Sequence, residues 1–537
     1  MLNRNRTAGA TMLLAGACAL AIGLATPAAA KTFRFAFQGD AQSLDPHGLN
    51  ETFTLGFLSN IYEGLTAYDA DLNLVPALAT SWEVVEPNLW RFELRQGVKF
   101  HDGGDFNADD VIFSWQRTLT EGSDQKVRGG LVEDIKKIDD FTIEVATKVP
   151  TPTLPRELVW IYIMDKEWSE ANDATEAANP KDAGRETAHA TQNANGTGPF
   201  TVGERQPDVK TVFKRFEGYW GEPKTNASEV VFTPISQAAT RVAALLSADL
   251  DLAYPVPVQD WNRLDSAPGV QALTGPEART IFLGMDQWRD ELLYSSVKGK
   301  NPFMDKRVRQ AFAHAINLDA IKDKVMRGAS TPTGLMLAPQ INGFNTELNT
   351  PYAHDPGKAK ELLDEAGYGD GFEVTLDCPN NRYVNDERIC QAVAGMLAQV
   401  GVKVEVFAQP KSKYFAKVAT QNDNDTSFYL LGWTPGSIDV HNVLDNLIVC
   451  MNNEAKKGQF NYGRYCNPEI DKLAAGVGGE TDPEKRQALV DQAFKMLQDD
   501  VGYLPLHQQP LSWGVREGVT VAQRPDNVLD FRNVVLP

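Results

Sequence analysis

The residues with the widest chemical reach in this chain are scattered. Its seven histidines are His47, His101, His189, His314, His354, His441 and His507, and no two lie within five positions of each other. No local imidazole pair with metal-ligand spacing exists, which leaves only a site assembled from distant segments. His101 and Asp102 are adjacent and could work as an acid–base pair. They open the run His101-Asp102-Gly103-Gly104, however, whose composition is that of a turn before a helix. There is no G-x-S-x-G elbow, no H-E-x-x-H helix and no phosphate loop. Asn195-Gly196-Thr197-Gly198-Pro199-Phe200 is glycine-rich, but its spacing is wrong for a dinucleotide and Pro199 interrupts any helix start. A secreted hydrolase is therefore disfavoured, and neither a cofactor nor a metal is expected.

The cysteines carry a second kind of chemistry. Cys18 falls in an N-terminal stretch with a basic Arg4/Arg6 region, an apolar run from Ala10 to Leu24 and Ala28-Ala29-Ala30 before Lys31. That is the pattern of a signal peptide cleaved after residue 30. Lipidation of Cys18 is the competing reading, poorly served by Ala15 where a larger aliphatic is usual. The remaining four, Cys378, Cys390, Cys450 and Cys466, are an even number in an exported chain, which suggests disulfides. Three connectivities are possible; the local pairs Cys378–Cys390 and Cys450–Cys466 are expected. Zinc is the alternative, but no pair has the tight spacing of a zinc knuckle.

These residues must be positioned by a large α/β scaffold. With 537 residues the chain exceeds one compact core, so two or more lobes are expected. Its formal charge of −19 argues against a nucleic-acid partner. Lys31 to Phe37 reads as an opening strand, and Trp90-Arg91-Phe92-Glu93-Leu94-Arg95 alternates as a half-buried strand does. Asn107 can cap a helix whose first turn holds Asp109 and Asp110. Residues 138–146 form another hairpin-like strand, and 169–195 short helix and exposed loop. Ser236 to Leu246 is an amphipathic helix leading into a strand at 247–252. Thr280 to Met285 is apolar enough to cross between lobes. Asp355-Pro356 and Asp482-Pro483 each place a cap and a first-turn proline at a helix start. Phe372 to Leu376, Cys390 to Val400 and Val402 to Phe407 give strand, helix, strand. Leu504-Pro505-Leu506 would return to the first lobe.

The run Ile61 to Arg117 carries a more specific signal. Its segments Tyr62-Glu63-Gly64-Leu65, Leu78-Ala79-Thr80-Ser81-Trp82-Glu83 and Gly97-Val98-Lys99-Phe100-His101-Asp102-Gly103 resemble the signature of the bacterial family 5 extracellular solute-binding proteins. Leu44-Asp45-Pro46, the Gly196-to-Phe200 turn, Tyr219-Trp220-Gly221, Ser247 to Leu252 and Lys306 to Ile316 resemble further elements of that family. The resemblance covers nearly all of residues 33–510. It implies a two-lobed periplasmic binding protein fold with an extra subdomain in the first lobe. The expected division is a first lobe over 31–283 with an insert at about 69–194, a second lobe over 284–508, and a returning segment over 509–537. It also implies a periplasmic monomer that encloses a peptide or peptide-like solute and hands it to the membrane permease of an ABC importer. An opine, an amino-acid conjugate or a short saccharide is the alternative solute.

Two loops are the best candidates for contact with that solute. In Leu431 to Asp439 the resemblance implies that Trp433 packs on ligand, with Thr434 beside it. The aspartate that grips a peptide amine in dipeptide-binding relatives is replaced by Gly436, and Asp439 fits a later position. In Asn380 to Asp386, Arg382 lies near the place where such relatives carry an arginine for the ligand carboxylate, with Tyr383 beside it. A guanidinium fork suits a carboxylate because two parallel N–H bonds fix its plane. Tyr254, and Gln38 and Asp40 after the first strand, are added because strand ends facing a crevice are where α/β folds place ligands.

Overall fold

The computed structural model describes residues 31–180, 182, 184–419 and 424–537. The expected signal peptide and Cys18 lie outside the described residues. Two long antiparallel strands, Val270–Met285 and Leu504–Arg516, form the spine of the molecule. Val270–Pro276 pairs with Arg516–Pro510; the register then breaks, and Thr280–Leu283 pairs with residues 508–504. At the first end the sheet continues through Leu252–Ala253, Thr32–Phe37, Glu229–Pro234, Lys210–Arg215 and Phe200–Gln206. At the second it continues through Phe428–Trp433, Glu373–Pro379 and Lys403–Gln409.

Thr32–Phe37 runs parallel to both of its neighbours, and so does Glu373–Pro379. Parallel strands need both faces covered, which explains why Phe428 to Leu431 are apolar without alternation and all buried. The register also fixes direction. Trp433 pairs with Thr280 and Ala253 with Gly514, so the parallel strands of both lobes end toward the break in the spine. Loops that follow strand ends, the usual ligand-bearing loops of α/β sheets, are thereby brought face to face.

A separate four-stranded antiparallel sheet, Ala79–Glu86, Leu89–Leu94, Thr142–Thr147 and Val132–Asp139, makes the inserted subdomain. Its core of Phe92, Phe100, Phe106, Ile143 and Val145 is its own. Helix Ala108–Thr118 covers it and starts with a capping box: Asn107 accepts from Asp109 N, and Asp110 accepts from Asn107 N. In the last turn of the same helix, Arg117 makes a doubly hydrogen-bonded, fully buried pair with Asp45 and so ties insert to lobe.

Several residues that define the sequence pattern are scaffold. Glu63 is buried and accepts from Thr197 Oγ1, Tyr219 Oη and Trp220 Nε1. His101 lies 2.9 Å from the carbonyl oxygen of Gly198 through Nε2, and burial brings its pKa down to about 4. Its neighbour Asp102 accepts from Gly104 N, so the two form a turn. The expected strand at 247–252 shrinks to Leu252–Ala253, because Ala248 is left-handed and Leu250 N still bonds to Ala244 O of the preceding helix. The helix expected from Cys390 begins earlier, at Asp386.

Candidate ligand-binding site

Arg382 and Tyr383 sit in the short loop between strand Glu373–Pro379 and helix Asp386–Ala398. The Cys378–Cys390 disulfide closes this loop at its base, and Cys450–Cys466 forms the second bridge. Asp386 folds the loop back on the helix start: its Oδ2 accepts from the backbone N–H groups of both Arg382 and Tyr383. Tyr383 is buried against the neighbouring strand, and its hydroxyl donates to Gly432 O at 3.3 Å. Glycine at 432 makes room for this approach, since a Cβ there would stand 2.6 Å from Ile281 Cδ1 and 2.8 Å from Tyr383 Cε1. This approach joins the two loops that the sequence singled out.

Two guanidinium groups face the Tyr383 ring. The Arg382 carbon lies 5.1 Å from its centroid and that of Arg279 5.9 Å. Arg279 Nε donates to Glu277 Oε1 at 2.9 Å, and Gln509 Nε2 donates to Glu277 Oε2 at 2.5 Å. Gln509 Oε1 in turn accepts from Val384 N. Both spine strands therefore hold the Arg382 loop. Among the described residues no carboxylate lies within ion-pair distance of the Arg382 guanidinium. Arg382 is exposed, and the protein packed around its base together with the Arg279 charge lowers its pKa from the ordinary arginine value.

Trp433 ends its strand with the ring 4.7 Å from Phe460 and the indole N–H bonded to Asn442. Cross-strand pairing lines up Trp433, Thr280, Gln508 and Thr331 in one row. In this neighbourhood Thr434 Oγ1 and Gln508 Nε2 are buried and have no protein partner. An unpaired buried polar group costs about 1–3 kcal/mol, so such atoms await a partner. On the first lobe, Tyr254 is buried with its ring 5.0 Å from Phe37 and 4.9 Å from Trp513. Burial raises its pKa, and so does the charge of Glu51, which also acts on Arg382. Gln38 is exposed just beyond Phe37.

Two expected contacts are spent elsewhere. Asp439 is fully buried, caps helix Val440–Val443 through His441 N, pairs with Arg486 at 2.7 Å and accepts from Asn342. Asp40 pairs with Arg205 at 3.3 Å and accepts from Asp208 N. Both carboxylates build their loops. The stretch between Trp433 and Asp439 is instead gripped by residues outside the insert's own core. Trp160 Nε1 donates to Gly436 O at 2.8 Å, Tyr68 Oη donates to Ser437 O at 2.7 Å, and a Cβ on Gly436 would stand 2.9 Å from Arg128 Nη2. Gln259 Nε2 adds a contact between lobes to Asn385 Oδ1 at 2.8 Å.

Arg279, Glu277, Gln508 and Gln509 escaped the reading of the sequence. They lie in long apolar strands and acquire meaning only when those strands pair. No motif marks them; their one signal is a polar or charged side chain inside a strand that is otherwise largely apolar.

The sequence pattern of the bacterial extracellular solute-binding proteins, family 5, matches residues 73–455, more than half of the chain. This protein belongs to family 5. The dipeptide-binding protein of Escherichia coli (strain K12) is 28% identical over 540 residues, spanning 95% of either chain. The glutathione-binding protein GsiB of Salmonella typhimurium is 28% identical over 485 residues, spanning 89% of either chain. Among solved structures, the ABC transporter-associated periplasmic binding protein DppA from Helicobacter pylori, in complex with peptide STSA, aligns with a TM-score of 0.75 at 24% identity. The alignment covers 94% of this chain and 98% of that one. The family 5 resemblance and the two-lobed α/β fold with its inserted subdomain both hold. No described helix is long and apolar enough to cross a membrane.

Proposed function

We propose that this family 5 protein is the periplasmic receptor of an ABC importer, closing its two lobes on a carboxylate-bearing, peptide-like solute and delivering it to the membrane permease. It acts by binding, as a monomer, without catalysis. The observation that carries this reading is the Arg382 guanidinium, held over Tyr383 at the lobe junction with no carboxylate of its own. An unpaired, solvent-facing guanidinium is complementary to a carboxylate in both charge and plane. Trp433 offers an apolar wall, Thr434 a hydroxyl, and Tyr254 and Gln38 the opposing side. The dipeptide- and glutathione-binding relatives support a peptide-like solute. We place the crossings between lobes at residues 277–279 and 508–509, where the spine register breaks. The first falls a few residues before the expected boundary at 283.

Native mass spectrometry of co-purified solute, followed by a thermal-shift screen of short peptides, tests the reading. A bound solute raises the melting temperature by mass action. Arg382→Ala is expected to weaken binding about 30-fold or more, since an abandoned charged partner costs about 2 kcal/mol or above. If Arg382→Ala and Trp433→Ala both leave the shift intact, the site lies elsewhere.

A further inference from the structure

The charges around Tyr383 do not balance, and the imbalance bears on the chemical class of the solute. Arg382 and Arg279 bring two positive charges to one aromatic ring. Glu277 answers one of them, and both its oxygens are occupied, by Arg279 and by Gln509. Glu51, the other carboxylate acting on Arg382, is turned into its own helix, where it accepts from Phe53 N, Thr54 N and Thr54 Oγ1. Farther along the crevice, further carboxylates are likewise engaged. Asp439 is paired with Arg486, and Glu157 with Arg128 at 3.4 Å. The Arg382 guanidinium thus stands without a counter-ion, while Glu277, Asp439 and Glu157 each have a cation and Glu51 a helix start. Beside Trp433 the buried atoms lacking partners are the Thr434 hydroxyl and the Gln508 amide nitrogen, both neutral; the one such carboxylate oxygen of this lobe, Asp377 Oδ1, belongs to a group already held by Lys417 and Thr426 through Oδ2. A hydroxyl and an amide donor match carbonyl oxygens; neither supplies the negative charge that would compensate a desolvated ammonium.

We propose that the solute is a net anion with a blocked amine: an acid whose carboxylate lies at Arg382 and Arg279, and whose other end presents an acyl or amide group to Thr434 and Gln508. This rests on the carboxylate reading above and narrows it. A zwitterionic peptide would bring its ammonium into a crevice where these carboxylates are already engaged, and would lose the hydration of that charge without replacement. Arg279 becomes a specificity residue, adding long-range attraction while Glu277 and Gln509 fix its position.

Isothermal titration of the mature protein with three probes separates the two layers of the argument. The probes are alanyl-phenylalanine, N-acetyl-alanyl-phenylalanine and alanyl-phenylalanine amide. The N-acetyl acid is expected to bind at least tenfold more tightly than the free dipeptide, and the amide most weakly. Arg279→Gln should weaken the N-acetyl acid severalfold and reduce the salt dependence of its binding. Gln508→Glu, which keeps the side chain's shape, should shift preference toward the free amine. Tighter binding of the free dipeptide than of the N-acetyl acid overturns the blocked-amine proposal and leaves the carboxylate reading standing. Loss of that binding in Glu51→Gln would then place the ammonium on Glu51. Equal or tighter binding of the amide overturns the carboxylate reading itself. Failure of all three probes to bind at millimolar concentration overturns both.

Discussion

Asp439 shows how one residue type can carry two meanings in a sequence. An aspartate just beyond a tryptophan-bearing strand end suits a ligand ammonium, and it suits a helix start equally well. Folding decides between them by placing Arg486, from a helix 47 positions on, against both carboxylate oxygens. Asp439→Ala is expected to cost about 3–5 kcal/mol, because it strands a buried guanidinium, while the folded fraction keeps its affinity for solute. Urea unfolding and titration calorimetry on the same sample check this; a loss of affinity with unchanged stability would return Asp439 to the site. His507 could not be read at all, since nothing near it in sequence announces that it will be buried with both ring nitrogens unpaired. Desolvation lowers its pKa to about 3. Its unfolded value is about 6.5, so the unfolded chain takes up a proton below that pH and the folded chain does not. Its contribution to stability is therefore intact above pH 6.5 and is lost as pH falls toward 3. His507→Met should flatten the decline of unfolding free energy between pH 6 and pH 4 by about 1.4 kcal/mol per pH unit, read from urea midpoints at several pH values.

Elements were more legible than single side chains, because periodicity and capping are local. Helices Pro356–Glu365 and Pro483–Asp500 start where aspartate and proline announce them, each aspartate accepting a first-turn amide. Asn107 caps as its sequence indicates. Boundaries failed where tertiary contacts intervene. The helix after Cys378 begins at Asp386 because that carboxylate binds back to Arg382 and Tyr383, and the spacing of apolar residues from Cys390 onward says nothing of it. The disulfide between Cys378 and Cys390 closes the same segment, so it belongs to the site as well as to the fold. Replacing both cysteines by serine should lower stability by about 3 kcal/mol through the greater freedom of the unfolded loop. It should also weaken solute binding by loosening Arg382. The equivalent change at Cys450 and Cys466 should lower stability while sparing affinity. Equal effects of the two double variants on binding would contradict the role assigned to the first bridge.

At the scale of the whole molecule, both recognition and closure depend on what the spine brings together. Two lobes were foreseeable from length and pattern; the first lobe's grip on the second was not, because Tyr68, Trp160 and Gly436 are distant in sequence and ordinary in type. Trp160 and Tyr68 each donate to a carbonyl of the loop that follows Trp433. These bonds exist only when the lobes are together, so they favour the closed state without touching solute. Removing an interaction made in one state alone shifts the equilibrium by its full worth. Tyr68→Phe keeps the packing, Trp160→Phe trims the ring, and both delete the donor, each bond being worth about 0.5–1.5 kcal/mol. Combined, they are expected to weaken solute affinity about tenfold, chiefly through faster release, since reopening is what the two bonds oppose. Stopped-flow release kinetics measure this directly, and small-angle scattering of the liganded double variant should show a larger population of open molecules. If release is unchanged while scattering still reports the open form, closure is governed by the solute and the Gln259–Asn385 contact rather than by the Tyr68 and Trp160 bonds.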